Sequence, residues 1–404
     1  MSTLPLSDVR VLDLSRVLAG PVCCQLLADL GADVVKVERP GTGDDTRQWG
    51  PPFVDGDNGD GPSAYYLSAN RGKRSLAIDL SHSGSADVLA DLIRASDVLV
   101  ENFLPHTLAK LRLTSEDLKR LNPELVSVAI SGFGRTGPMA ERPGYDLVIQ
   151  ATAGVMSITG EPGGMPMKIG VAITDVLTGL YAVTSALAGL YSRGRGRGGA
   201  AFDLALADCT LASLVNVAQG ALVTGDRPRR YGNAHPHIVP YEAFATADGH
   251  LVLAVGNDRQ FARFCHAVDR DEWAEDERFR TNPLRVGNRE ALIPLIADLI
   301  GQRTTARWQD LLTAADVPHA PVTALDEILS SPQVAAREMV HDVTDAEGRR
   351  YKLLGNPIHY AGRGKQTPQP PPAVGQHSQE VLKEWLDYDA ERIAELCDAD
   401  GPVT

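Results

Sequence analysis

Short β-rich runs alternate with helical stretches from Val9 to about Gly134, and no other feature of the chain restricts its fold as strongly. Residues 9–14, 33–38, 75–80, 97–101 and 125–130 read as strands, and helices are expected near 20–30, 83–94 and 115–121. Strand and helix repeating at this spacing predict an α/β fold with a mostly parallel, doubly wound sheet. Such sheets bind ligands at the carboxyl ends of their strands. The segments at those ends are residues 15–20, 39–43, 102–103 and 132–137.

Farther along, a long apolar helix rich in Ala, Leu and Gly, from about Thr174 to Tyr191, reads as fully buried. The Arg-Gly tract at 192–199 that ends it reads as a solvated turn before a strand-like run at 201–206. After about Gly225 the pattern changes. Residues 242–255 read as a hairpin turned at Ala247-Asp248-Gly249, with amphipathic helices following near 258–268, 289–301 and 304–313. Residues 226–325 are expected to form a smaller α+β domain, and residues 1–225 with 326–404 the large one. Pro368, Pro370, Pro371 and Pro372 predict an extended strap before a final helix at 378–386.

Composition narrows the function. The 404 residues are 43% apolar and 23% charged, which suits folded domains, and the formal charge of -13 opposes binding to nucleic acid or anionic membrane. Any anionic ligand needs a local basic cluster. Five cysteines without a CxxC, an odd number, argue against a disulfide framework or zinc ribbon and predict a reducing cytoplasm. Residues 1–6 lack a basic region followed by an apolar core, and Gly or polar residues interrupt the apolar helices, so neither a signal peptide nor a membrane span is expected. Gly20 is followed by Pro21, which removes the glycine fingerprint of NAD binding. His235-Pro236-His237 stands apart from other ligand types, so no metal site is expected.

The candidate reactive group is Asp175, a lone acid between apolar runs. Thr174 reads as an N-cap that places Asp175 in the first helical turn, where free N–H groups and the helix dipole favour the ionised form. Read alone, it is either a cap or a nucleophile. Basic residues at the strand ends, Arg16, Arg39, Arg71, Lys73, Arg74, Lys110 and Arg135, would suit a ligand with several phosphates if they converge.

The runs at 11–21, 30–40, 70–75, 100–103, 144–146 and around Asp175 together resemble the class III CoA-transferases, over essentially the whole chain. Segments 43–52, 237–241, 256–261 and 371–377 are most similar to the succinate–hydroxymethylglutarate branch of that family. The resemblance implies a Rossmann-like large domain drawn from both chain ends, a small inserted domain and an interlocked homodimer. It implies exchange of coenzyme A between an acyl-CoA, dicarboxylyl for this branch, and a carboxylic acid. Asp175 takes the place of the nucleophile. Val17, Leu18, Arg39, Asn70, Arg71, Lys73, Asn102, Phe103, Lys110, Gly132, Phe133 and Arg135 take the CoA-contacting positions. Arg47 is the candidate for a distal carboxylate, and Gly256 and Asn257 for oxyanion donors. The racemase branch has a histidine where this chain has Tyr145, and a phenol with pKa near 10 is a poor base at neutral pH, so transfer is favoured over racemisation. A non-catalytic CoA-binding protein is the third reading, and Asp175 argues against it.

Overall fold

The computed structural model describes residues 4–56, 61–361, 367–398 and 401–404; Met1 to Thr3, where the segment inspected for a leader begins, lie outside them. The chain forms two compact units, one of Met1–Val155, Ile169–Thr224 and Val334–Thr404, the other of Met156–Lys168 and Gly225–Gln333. Relative to the expected boundaries, the smaller unit gains Met156–Lys168 and extends to Gln333.

The large unit is built on six parallel strands, β1 (Arg10–Leu14), β2 (Asp33–Glu38), β3 (Arg74–Ala77), β4 (Val98–Glu101), β5 (Val126–Ser131) and β6 (Ala200–Ala205). Their order in the sheet is β3-β2-β1-β4-β5-β6. The chain winds outward from β1 to β3, returns beside β1 as β4, and winds outward again. The switch between β1 and β4 opens the crevice at which doubly wound sheets bind ligands. Both faces are covered. One apolar cluster joins the sheet to the helices Ala19–Asp29 and Ile173–Arg193, the other to the helices Ser85–Arg94 and Ser378–Leu386.

The smaller unit carries an antiparallel sheet of β7 (Tyr241–Ala245), β8 (His250–Ala254) and β9 (His319–Pro321). Phe261, Phe264, Leu292, Ile296 and Trp308 from the expected amphipathic helices pack with its buried strand residues. Several elements fall outside those expected from the sequence, the helices Ala64–Ala69, Asp146–Thr152 and Val215–Thr224 among them. The hairpin β10 (Val340–Thr344) and β11 (Arg350–Leu354) packs on Leu67, and the helix Ala390–Leu396 follows the final expected helix. The carboxyl terminus then returns to the large sheet, where Thr404 N–H is donated to Ala77 O.

The helix Ile173–Arg193 is not fully buried as expected. Gly179, Ala182, Ala186 and Gly189 recur every three or four residues and form its buried stripe, while Leu180, Tyr181 and Tyr191 are exposed on other faces. Contrary to the reading that its apolar run is too interrupted, it is long and apolar enough to cross a membrane by length and composition; here its small residues pack against the helix Ala19–Asp29 and strands β5 and β6. Small residues allow close approach: a Cβ on Gly179 would sit 2.9 Å from the backbone oxygen of Ala19. That contact draws the two helix starts together. Gly179→Ala should therefore cost roughly 1–3 kcal/mol, because a backbone atom must yield, and it should lower the midpoint of urea unfolding.

Candidate active site

A cleft of about 490 Å³ opens at the carboxyl ends of β1, β2 and β4. Of the residues singled out in the sequence, Arg16, Arg39, Asn102, Phe103 and Lys110 line it. Asn102 spans the switch point: its Oδ1 accepts the Arg16 N–H at 3.1 Å and its Nδ2 donates to the Arg16 carbonyl at 2.8 Å. The side chains of Arg16 and Arg39 are exposed and both meet Asp45. Both are surface cations that share one carboxylate as partner.

A second cavity, of about 130 Å³, shares Arg16, Asn102, Phe103 and Leu104 with the first and is also lined by Val17, Ala19, Gly132, Tyr145 and Asp175. The cleft thus continues to the carboxylate. The Gly132 and Gly144 backbones meet on its wall, where a Cβ on Gly132 would lie 2.6 Å from Gly144 Cα. Tyr145 is 61% exposed and lines the same cavity, where the racemase pattern has its histidine.

Asp175 lies in the first turn of its helix as expected, but Thr174 is not the cap. The helix starts two residues earlier than that cap implies, with Ala172 in the cap position and no local side chain to accept a hydrogen bond. The missing acceptor comes from Asp146, whose Oδ1 receives the Thr174 N–H at 2.9 Å and the Thr174 hydroxyl at 2.8 Å. Asp175 itself accepts the backbone N–H of Ala19, the first residue of the helix Ala19–Asp29. Two helix starts therefore meet at one carboxylate. Even so, burial pushes the Asp175 carboxyl up to about 7, the charge of Asp146 adds to the rise, and the Ala19 N–H opposes it. The expectation that position alone favours ionisation is overturned, because desolvation and a like charge outweigh one hydrogen bond.

Val17 carries the turn that aims Ala19. Its φ is +71°, rare for a β-branched residue, and its N–H is donated to Asp44 Oδ2 at 3.2 Å. Asp44 is in turn paired with buried Lys36 at 2.9 Å and accepts the Thr46 N–H, contacts that hold its carboxyl down at about 2. Asp13 and Lys36 fall within expected strands and Asp44 within the 43–52 segment, and the sequence singles out none of the three for this support.

Other expected contacts fall elsewhere. Asn70 and Lys73 are buried together, with Lys73 Nζ donating to Asn70 Oδ1 at 2.8 Å and Asp13 Oδ2 at 2.9 Å. Arg71 is buried against Asp29, Arg135 pairs with Glu101, and Phe133 packs against the apolar cluster of β5. Leu18 is buried and lines neither cavity. Arg47 does not wait for a carboxylate: its guanidinium holds both oxygens of Glu38 at 2.7 and 2.8 Å, and also the Tyr66 hydroxyl and the Pro372 carbonyl. In the smaller unit the Gly256 N–H is donated to Gln260 Oε1 at 2.7 Å, and the Asn257 side chain caps the helix Asp258–Ala267.

Comparison with known proteins agrees with this architecture. The model of CoA-transferase family III matches residues 6–378. Succinate–glutarate CoA-transferase of Agrobacterium fabrum is 45% identical over 386 residues, 94% of this chain and 95% of that protein. Succinyl-CoA:glutarate CoA-transferase of Homo sapiens is 39% identical over 395 residues, 98% of this chain and 89% of that protein. The crystal structure of a CAIB/BAIF family protein from Brucella suis shares the fold with a TM-score of 0.83 at 40% identity, covering 95% of this chain and 100% of that one. The chain belongs to CoA-transferase family III and is a CoA-transferase.

Proposed function

We propose that this transferase moves CoA from a dicarboxylyl-CoA such as succinyl-CoA to a second carboxylic acid, with Asp175 as the nucleophile. The observation that carries the reading is the Asp175 carboxylate in a cavity that shares Arg16, Asn102, Phe103 and Leu104 with the larger cleft, which Arg39 also lines. The succinate and glutarate named for the relatives support the substrate class. Arg39 and Lys110 line the outer cleft, which suits the phosphates of CoA.

In this mechanism an Asp175 oxygen attacks the thioester carbonyl, and the C–S bond breaks to release CoA thiolate and leave a mixed anhydride. The thiolate then attacks the Asp175 carbonyl, forming the aspartyl-CoA thioester and freeing the donor acid. The acceptor carboxylate attacks that thioester, and the released thiolate takes the acceptor acyl group and restores Asp175. Covalent catalysis here links carboxyl derivatives of similar energy. Each time the Asp175 carbonyl is attacked its oxygen gains charge, and the Ala19 N–H is the donor that faces it.

With Arg47 committed to Glu38, Arg16 replaces it as the candidate for the distal carboxylate, since it is the cation lining the Asp175 cavity. A homodimer accounts for the apolar surface: the helix Val215–Thr224 buries none of its residues, and Leu222 and Val223 are 80% and 75% exposed. Cys23, Cys24, Cys209, Cys265 and Cys397 are free thiols, in keeping with action in the cytoplasm.

Asp175→Asn should abolish exchange while CoA still binds, measured by thioester analysis with succinyl-CoA and a panel of acids; turnover near that of the parent protein would remove Asp175 from the mechanism. The parent kcat/KM should rise with pH through about 7 as the carboxylate forms. Between the unperturbed value of 3.8 and about 7 the folded protein keeps a proton that the unfolded chain has lost, so this group reduces stability as pH rises. Asp175→Asn should accordingly melt above the parent at pH 8 and not at pH 4. Arg16→Gln should lower kcat/KM for succinyl-CoA roughly 10- to 100-fold, as expected for loss of a charge-assisted hydrogen bond, and change acetyl-CoA much less. Light scattering should give twice the 43.3 kDa chain mass.

A further inference from the structure

We infer that Asp146 is a positioning residue for the transfer reaction, acting through Thr174 to hold the first turn of the helix that presents Asp175. This rests on the reading of Asp175 as nucleophile. The geometry is a closed clamp. Asp146 Oδ1 takes both hydrogen bonds that Thr174 can donate, from its backbone and its hydroxyl. Asp146 Oδ2 takes the Gln150 amide at 2.7 Å, and Gln150 Oε1 takes the Ile169 N–H at 2.8 Å. Thr174 and Gln150 are fully buried, so their polar groups have little access to water as an alternative partner, while Asp146 is half-buried.

The clamp ties the two places where the chain leaves and re-enters the large unit. Asp146 and Gln150 lie on the helix Asp146–Thr152, shortly before the unit ends at Val155; Ile169 is the first residue on return, and Thr174 is five residues later. A chain of hydrogen bonds across that opening fixes the helix start with respect to β5 and the Gly132 wall, even though the intervening residues belong elsewhere. Rigid placement of an attacking atom is worth much of a rate, and an error near 1 Å costs about 100-fold.

The clamp also uses a charge where an uncharged acceptor would serve for capping. The titratable and charged groups around Asp175 are Asp146 and Tyr145 from the helix side, Tyr65 from the helix Ala64–Ala69 and Arg16 from the loop after β1. Asp146 is the anion among them. Replacing it with an amide removes the charge and also sets an N–H donor against the Gln150 amide, so it loosens the clamp and lifts the like charge together, whereas loss of the Thr174 hydroxyl loosens the clamp alone.

The test measures exchange between succinyl-CoA and glutarate across pH. Asp146→Asn should lower kcat 10- to 100-fold with KM for succinyl-CoA within about threefold, and shift the acid limb of kcat/KM to lower pH by about one unit as a like charge is lost. Thr174→Val keeps that charge but loses the hydroxyl, so it should lower kcat and leave the acid limb in place; Thr174→Ser should restore kcat. Parent-like kcat in Asp146→Asn and Thr174→Val overturns the assignment, and so does an unmoved acid limb in Asp146→Asn. If Asp146→Asn does not fold, the Val and Ser variants at Thr174 decide alone, with equal kcat overturning it. Hydroxylamine trapping separates the two readings. No adduct on Asp175 in the parent protein overturns the nucleophile, whereas an adduct formed equally fast in every variant overturns only the clamp.

Discussion

Beneath the cleft, buried Lys36 and Lys73 and half-buried Arg47 balance three buried anions at the ends of β1 and β2, and the geometry of the site depends on them. Lys36 lies between Asp13 and Asp44, Lys73 holds Asp13, and Arg47 holds Glu38. Side chains this deep remain charged because each faces its opposite and the remaining donors and acceptors are used, as when Lys36 donates to the Ser15 carbonyl and Ser75 to Glu38. Such a network adds little net stability over an apolar core, yet loss of one partner leaves an uncompensated charge, at a cost of about 3–5 kcal/mol. Its contribution is placement. Asp44 holds the Val17 turn, that turn aims the Ala19 N–H, and Ala19 meets Asp175.

The carboxylate at the end of that series is held between opposing influences. Two helix starts and a backbone donor favour its charge, while burial and Asp146 oppose it more strongly. In the role we propose for it, a carboxyl that ionises near neutrality would be both populated as carboxylate and basic enough to attack a thioester. The close contact at Gly179 belongs to the same arrangement, since it brings the helix carrying Ala19 against the helix carrying Asp175.

Some of this was legible in the residues. The strand at 33–38 and the helix at 378–386 were read with their observed limits, and the other sheet strands to within a few residues, because strand and helix periodicities are local. The hairpin β10–β11 was missed, being short and largely exposed. Asp175 stood out as an acid among apolar neighbours. The basic residues were harder. Arg39 and Lys110 face the cleft as read, but Arg47, Arg71 and Lys73 spend their charge on Glu38, Asp29 and Asp13, residues 9, 42 and 60 positions away in the chain. Nothing in a single stretch distinguishes a cation reserved for a ligand from one already paired.

The sequence alone therefore determined the elements, their alternation and hence the parallel sheet with its binding edge, and it exposed Asp175 as the group to explain. Tertiary structure decided which charges are free and what the carboxyl of Asp175 experiences. The cap of its helix comes from Asp146, its hydrogen-bond donor from Ala19, and its desolvation from the packing around both. Periodicity acts between neighbours in the chain and can be read along it, whereas burial and pairing of charge act through space and exist only once the chain has folded.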